Sequence, residues 1–232
     1  MTTDATASTD AATLYARLRD SCAAEWTAYA EHEFVRALGA GSLPQEAFRD
    51  YLAQDYLFLI QFARAHALAA FKSRSIADIR AHAEGLGAIL SETELHVRLA
   101  ERWGVSAAEL EALPEKQATV AYTRYVLDCG MSGDLLDLEV ALAPCVIGYA
   151  EIGARLAAEV AERSEDLGTH PYGEWISEYA GETYQSLARD SAAHIDALAG
   201  GPLPQRRIDE LTDIFRTATR LEADFWQQAL DH

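Results

Sequence analysis

Three residues whose types could support acid–base and nucleophilic chemistry stand at unusual positions in this sequence. Asp55 and Glu222 each interrupt a stripe of apolar and aromatic side chains at helical spacing, and Cys145 directly follows a proline inside an apolar run. A carboxylate is costly to bury alone, and full desolvation raises its pKa by about 3 to 5 units. If the three residues meet in one bundle, they form an enclosed pocket with an acid, a base and a nucleophile, suited to a flat, neutral heteroaromatic ligand.

The pattern around Asp55 predicts a long helix over residues 48–71. Tyr51, Asp55, Phe58 and Phe62 fall at i, i+4, i+7 and i+11, which places the acid inside an aromatic stripe. Carboxylates avoid such positions unless they are paired. Asp55 is therefore expected to serve either a structural ion pair or a binding site.

Cys145 belongs to a predicted helix of about thirty residues that begins near Ser132. Pro144 in its interior removes one backbone hydrogen bond and is expected to kink the helix immediately before the cysteine. Tyr149 follows one turn later on the same face. A cysteine in an apolar helix is more often an inert small hydrophobe than a nucleophile, so this segment alone does not make Cys145 catalytic.

Glu222 lies on the inward stripe of the last predicted helix, residues 204–230, next to Phe225. Two further aromatic side chains are predicted to face the interior, Tyr122 from a helix over 115–129 and Tyr179 from a short helix over 172–179. Buried tyrosine hydroxyls need hydrogen-bond partners, which a polar cavity can supply. The alternative, in which each acid pairs with an arginine inside a structural bundle, is equally compatible with this periodicity.

The remaining pattern predicts an all-α protein with a single domain over residues 11–232, preceded by a disordered tail over residues 1–10. Half of the residues are hydrophobic, and strand signals are nearly absent. The other predicted helices cover residues 11–32, 75–103, 106–112 and 182–199.

The charge and the cysteines exclude several classes of function. With 37 acidic and 19 basic residues, the formal charge of −18 repels nucleic acids and anionic membrane surfaces. Neither a membrane span nor a signal peptide is predicted, so a cytoplasmic protein is expected. Three cysteines without a CxxC motif indicate neither a disulfide framework nor a zinc site.

Two acid–histidine pairs with a spacing of four, Glu92 with His96 and Asp190 with His194, raise the question of a metal. A carboxylate-bridged di-iron bundle uses Glu-x-x-His, with a spacing of three, and Leu95 holds that position after Glu92. Four is a common spacing of surface ion pairs on helices. Both pairs are therefore predicted to be surface ion pairs.

Four motifs together resemble the TenA family, also called thiaminase II or aminopyrimidine aminohydrolase. They are the run LPQEAFRDYLAQDYLFLIQFARA from Leu43, AYT around Tyr122, LAPC followed by Tyr149, and EADFW from Glu222. Their order and spacing span nearly the whole chain. The resemblance implies a haem-oxygenase-like helical bundle that assembles as a homotetramer and uses neither a metal nor another cofactor.

The cysteine branch of this family hydrolyses 4-amino-5-aminomethyl-2-methylpyrimidine to the hydroxymethyl pyrimidine in thiamin salvage, and can also cleave thiamin. By resemblance, Cys145 is the nucleophile, Asp55 binds the amino and ring nitrogens of the pyrimidine, and Glu222 is the catalytic acid/base. Phe58 stands where the family often has a tyrosine, which keeps the ring and loses a hydroxyl. The implied pocket wall consists of Tyr122, Tyr149, Tyr179, Phe58 and Phe225.

Two other functions are compatible with the same scaffold. One is a non-catalytic pyrimidine-binding or regulatory protein. The other, less favoured by the residues, is a haem-oxygenase-like di-iron oxidase that uses Glu92, His96, Asp190 and His194.

Overall fold

The structure is a computed structural model that describes residues 13–102 and 104–231, apart from the side chains of residues 92, 94–96, 99 and 107. Over these residues the chain forms eleven α-helices and no strand, which confirms the predicted all-α class. The tail expected at residues 1–10 lies outside the described part. In chain order the helices are α1 (Leu14–Ser21), α2 (Ala23–Ala30), α3 (Glu33–Gly39), α4 (Gln45–Lys72), α5 (Ile76–Arg102), α6 (Ala107–Ala112), α7 (Gln117–Ser132), α8 (Leu135–Glu162), α9 (Gly173–Ala180), α10 (Glu182–Ala199) and α11 (Gln205–Leu230).

The first predicted helix, residues 11–32, is wrong as a single helix. The backbone leaves helical geometry at Cys22 (φ −119°, ψ 26°), which separates α1 from α2. Leu18, Cys22 and Trp26 are nevertheless all buried, before, at and after the break. The short helix α3 was not predicted; the His32 imidazole caps it by accepting a hydrogen bond from the Phe34 N–H at 3.2 Å.

Helix α8 packs against α9, α10 and α11, while α4 packs against α5 and α7. Helix α8 runs through Pro144, and the Tyr29 hydroxyl of α2 donates a hydrogen bond to the Pro144 carbonyl at 3.2 Å. Gly148 makes this approach possible, because a Cβ at that position would lie 2.6 Å from the Tyr29 hydroxyl oxygen. The backbone around Cys145 is thus held by a side chain from another helix.

Most buried apolar side chains join one hydrophobic core to which α1–α5 and α7–α11 contribute. A smaller cluster, centred on Tyr56, Leu57 and Leu110, packs between α4, α5 and α6. Among the described residues, no helix combines the length and the apolar character needed to cross a membrane.

Candidate active site

Helices α4 and α11 bury both predicted acids in the main core. Asp55 is 4% exposed and Glu222 is 1% exposed. Their helices are apolar on the same face as the acid, so packing of that face against α7 and α8 carries each carboxylate inward. The periodicity that identified these acids therefore also explains why they are buried.

Asp55 accepts a hydrogen bond from the Tyr51 hydroxyl, with 3.2 Å between the hydroxyl oxygen and Oδ2. The indole Nε1 of Trp175 in turn donates to the same hydroxyl at 3.1 Å. This relay from α9 through α4 orients the phenol toward the carboxylate. The carboxylate oxygens of Asp55 are acceptors, so they can also receive a hydrogen bond from a substrate amine.

Glu222 accepts a hydrogen bond from the Tyr122 hydroxyl, with 2.7 Å between that oxygen and Oε1. Burial raises the pKa of Glu222 to about 8, the Tyr122 hydrogen bond lowers it in part, and the charge of Asp55 raises it further. Glu222 therefore holds a proton near neutral pH. Because its partner is a phenol, the expected alternative of an arginine pair is wrong for this acid.

Cys145 is partly buried and packs against the main core. Burial raises the pKa of Tyr29 and of Tyr122 well above the usual range, and electrostatic interactions with Glu222 and Cys145 raise both further. The thiol and the acid thus act on the same two phenols. Both phenols stay protonated and donate hydrogen bonds, Tyr122 to Glu222 and Tyr29 to the Pro144 carbonyl that directly precedes Cys145.

Aromatic rings connect the predicted wall residues to these polar groups. Phe58 lies 5.3 Å from Tyr122 and 5.8 Å from Phe225 between ring centroids, and Tyr149 lies 5.0 Å from Tyr179. Burial raises the pKa of Tyr149, and the charges of Asp55 and Glu222 contribute to that shift. The structure therefore brings all eight predicted site residues into one region.

Three residues of this region were not predicted as site residues. The ring of Trp226 lies between Tyr51, which donates to Asp55, and the wall residue Tyr149, with 5.2 Å between ring centroids in each case. Trp175 begins the relay to Asp55, and Tyr29 holds the backbone at Pro144. Trp175 and Trp226 each share a predicted inward face with a named wall residue, which was a usable signal, whereas the sequence offers no comparable signal for Tyr29.

The two predicted surface pairs have different outcomes. The side chains of Glu92 and His96 lie outside the described part of the structure. His194 was expected to pair with Asp190 at the surface, but its ring faces that of His82 at 5.5 Å between centroids, while Asp190 is exposed. This prediction was wrong because spacing along one helix does not reveal which neighbouring helix a side chain meets.

An all-α bundle that encloses two carboxylates, a thiol and a wall of aromatic rings is a scaffold for binding or converting a small aromatic molecule. The chain belongs to the TENA/THI-4/PQQC family, whose model matches residues 19–232.

Sequence and structure comparisons agree with this assignment. The chain is 39% identical over 206 residues to an aminopyrimidine aminohydrolase of Halalkalibacterium halodurans, covering 88% of this chain and 89% of that protein. A solved TenA family transcription regulator from Silicibacter sp. TM1040 is 41% identical, with a TM-score of 0.86, and the match covers 94% of this chain and 97% of that one.

A solved domain with a heme oxygenase-like fold from Shewanella denitrificans matches with a TM-score of 0.69 at 12% identity, over 93% of this chain and 91% of that one. At this identity the match concerns the fold alone. The predicted haem-oxygenase-like bundle is confirmed.

Proposed function

We propose that this protein hydrolyses 4-amino-5-aminomethyl-2-methylpyrimidine to 4-amino-5-hydroxymethyl-2-methylpyrimidine in thiamin salvage, that it also cleaves thiamin, and that it needs no cofactor. The observation that carries the proposal is the burial of two carboxyl groups, Asp55 and Glu222, beside one aromatic wall. Glu222 holds a proton near neutral pH, while Asp55 accepts a phenol hydrogen bond beside the same aromatic wall. The relative named aminopyrimidine aminohydrolase supports the choice of substrate class.

Each acid has its own role in this proposal. Asp55 accepts a hydrogen bond from the amino group of the pyrimidine and shares a proton with the adjacent ring nitrogen, and these two contacts fix the orientation of the ring. Tyr122, Tyr149, Tyr179, Phe58 and Phe225 form the wall against which the ring packs. Phe58 stacks without donating a hydrogen bond, so the ring depends on Asp55 for orientation.

The Cys145 thiolate adds to a carbon of the pyrimidine ring, and the exocyclic C–N bond breaks as Glu222 gives its proton to the departing ammonia. Water then attacks the exocyclic methylene, and Glu222 takes a proton from it. Expulsion of the thiolate restores the aromatic ring and the enzyme. The net reaction consumes one water and releases one ammonia.

We also propose that the protein is a cytoplasmic homotetramer, in which each subunit consists of one TenA-like domain over residues 11–232. A reducing compartment keeps the Cys145 thiol free for catalysis. Large apolar side chains remain exposed where α4 and α7 end, with Phe71 86% and Met131 70% exposed. Contact with other subunits would cover such side chains, and sedimentation equilibrium at micromolar concentration tests the assembly.

A second candidate function is non-catalytic pyrimidine binding in regulation. The solved relative described as a transcription regulator favours it. This function uses the same wall and the same Asp55 but requires no bond cleavage. It predicts that pyrimidines raise the melting temperature without any release of ammonia.

An ammonia-release assay with the aminomethyl pyrimidine and with thiamin, on wild type and Cys145→Ser, separates these functions. We expect turnover by the wild type, a loss of at least about 10³-fold in Cys145→Ser and nearly unchanged ligand affinity, because serine is a far weaker nucleophile at neutral pH. Unimpaired turnover in Cys145→Ser contradicts the proposed role of the thiol. Ligand binding by a wild type that releases no ammonia supports the regulatory function.

A further inference from the structure

A second polar cluster lies in the bundle apart from the candidate active site. It consists of His82 of α5, Glu139 of α8 and His194 of α10, each of which offers one ligand atom, and these atoms all lie within 4.8 Å of one another. His82 and Glu139 are each 6% exposed, and His194 is half-buried. Three helices therefore direct two imidazoles and a carboxylate toward one small volume.

The cluster lacks internal hydrogen bonds that would satisfy it. His82 Nε2, Glu139 Oε1 and His194 Nε2 are buried and have no hydrogen-bond partner among the residues that the structure describes. His82 Nδ1 is 3.8 Å from Glu139 Oε1, too far for a hydrogen bond. A buried polar atom without a partner costs roughly 1 to 3 kcal/mol, so three such atoms at one place indicate that something else binds them.

The donor set fits a divalent transition-metal ion. Two imidazole nitrogens with one carboxylate oxygen is a common ligand set for zinc and for non-haem ferrous iron. At metal–ligand distances of about 2.1 Å, tetrahedral ligand atoms lie about 3.4 Å apart, so the separations here require only a modest contraction.

Aromatic rings separate this cluster from the candidate active site. The His82 ring lies 6.3 Å from His66, His66 packs edge-on against Phe62 at 4.9 Å, and Phe62 stacks on the wall residue Phe58 at 5.5 Å. Neither Asp55 nor Glu222 belongs to the cluster. An ion held there therefore lies outside the proposed reaction.

We propose that His82, Glu139 and His194 form a binding site for one divalent transition-metal ion, which joins α5, α8 and α10 and stabilises the bundle without taking part in hydrolysis. Water molecules complete the coordination of the ion. This site differs from the di-iron pairs considered from the sequence, because its ligands come from three helices and only His194 is shared.

The test uses the full chain after removal of metals with a chelator. Titration with Zn²⁺ in a calorimeter, and with Co²⁺ followed by its visible absorption, should show one equivalent bound to the wild type and a rise in melting temperature. Glu139→Gln keeps the shape of the side chain and removes its charge, and His194→Ala removes a ligand. Each should weaken binding by at least about 100-fold and abolish the rise in melting temperature.

Asp190→Asn is the matched control, because Asp190 is an exposed acid on the same helix as His194. It should bind both ions as the wild type does. Circular dichroism in the presence of chelator establishes that each variant is folded, and if His194→Ala does not fold, the isosteric Glu139→Gln decides. A wild type that binds neither ion at millimolar concentration, or equal binding by wild type and Glu139→Gln, overturns the proposal.

Discussion

Glu222 and Glu139 are both buried glutamates of the same bundle, but their surroundings differ. Burial raises the pKa of Glu222 to about 8 and that of Glu139 to about 7. Glu222 accepts a hydrogen bond from Tyr122 at 2.7 Å, whereas Glu139 Oε1 has no hydrogen-bond partner. Glu222 thus has a hydrogen-bond donor within the protein. Glu139 lies near the imidazoles of His82 and His194, and neither ring donates a hydrogen bond to its Oε1.

The difference shows how one core can contain two kinds of polar site. A buried acid with a fixed donor is preorganised for proton transfer and needs nothing further. A buried acid beside unpartnered imidazole nitrogens has the donor set of the divalent-ion site proposed above. Similar burial and similar pKa directions therefore do not distinguish the functions of the two acids. The hydrogen-bond partners of their carboxyl oxygens do distinguish them.

Of the substitutions that test this comparison, Glu222→Gln should have the largest effect, a loss of turnover. Glu222→Gln preserves the side-chain volume but cannot donate a proton to the leaving ammonia, so kcat should fall by about 10² to 10⁴-fold. Steady-state ammonia release measures the loss. An activity within about threefold of wild type would exclude Glu222 as the catalytic acid.

Asp55→Asn should have the next largest effect, on substrate binding and turnover more than on folding. The change keeps the shape of the side chain and removes the charge that receives the pyrimidine amine, so affinity should fall by about 10- to 100-fold. Calorimetric titration of a pyrimidine ligand measures it, and thermal melting provides the control. Loss of folding with unchanged affinity in the folded fraction would assign Asp55 to structure instead.

Tyr122→Phe should make Glu222 more similar to Glu139, because it removes the donor and keeps the ring. The Tyr122 hydrogen bond lowers the pKa of Glu222, so the variant should show a higher apparent pKa on the basic limb of its pH–rate profile. We expect a decrease of about tenfold in turnover. An unshifted basic limb would show that this hydrogen bond does not tune the acid.

The smallest expected effect is on the pH dependence of stability. Glu222 binds its proton more tightly in the folded protein than in the unfolded chain, so its contribution is fully present below the unfolded pKa and is lost as pH rises to about 8. Glu222→Gln should remove this dependence, which amounts to at most about 1.4 kcal/mol per pH unit. Urea unfolding from pH 5 to pH 8 measures it; equal slopes for variant and wild type would contradict the assigned pKa direction.

The sequence predicted the candidate active site better than it predicted the second cluster, for a physical reason. Asp55 and Glu222 each stand out within their own helix, since a carboxylate on an apolar stripe is visible from periodicity alone. Cys145 was assigned only through resemblance, because an apolar helix gives a thiol no distinguishing local pattern. The aromatic wall followed from inward faces, although Trp226 and Trp175 were not named as parts of it.

The features that were missed depend on contacts between distant helices. His82, Glu139 and His194 occupy three helices, and the pattern within any one of them does not show that they meet. The break at Cys22 and the hydrogen bond from Tyr29 to Pro144 likewise arise from packing that local propensity does not encode.

The most direct test compares ammonia release by Glu222→Gln and Glu139→Gln under identical conditions, after treatment of both proteins and the wild type with a chelator. We predict that Glu222→Gln loses at least about 100-fold of its turnover, whereas Glu139→Gln and the chelated wild type keep theirs. Equal losses in the two variants, or an inactive chelated wild type, would contradict the separation of the catalytic acid from the proposed metal site.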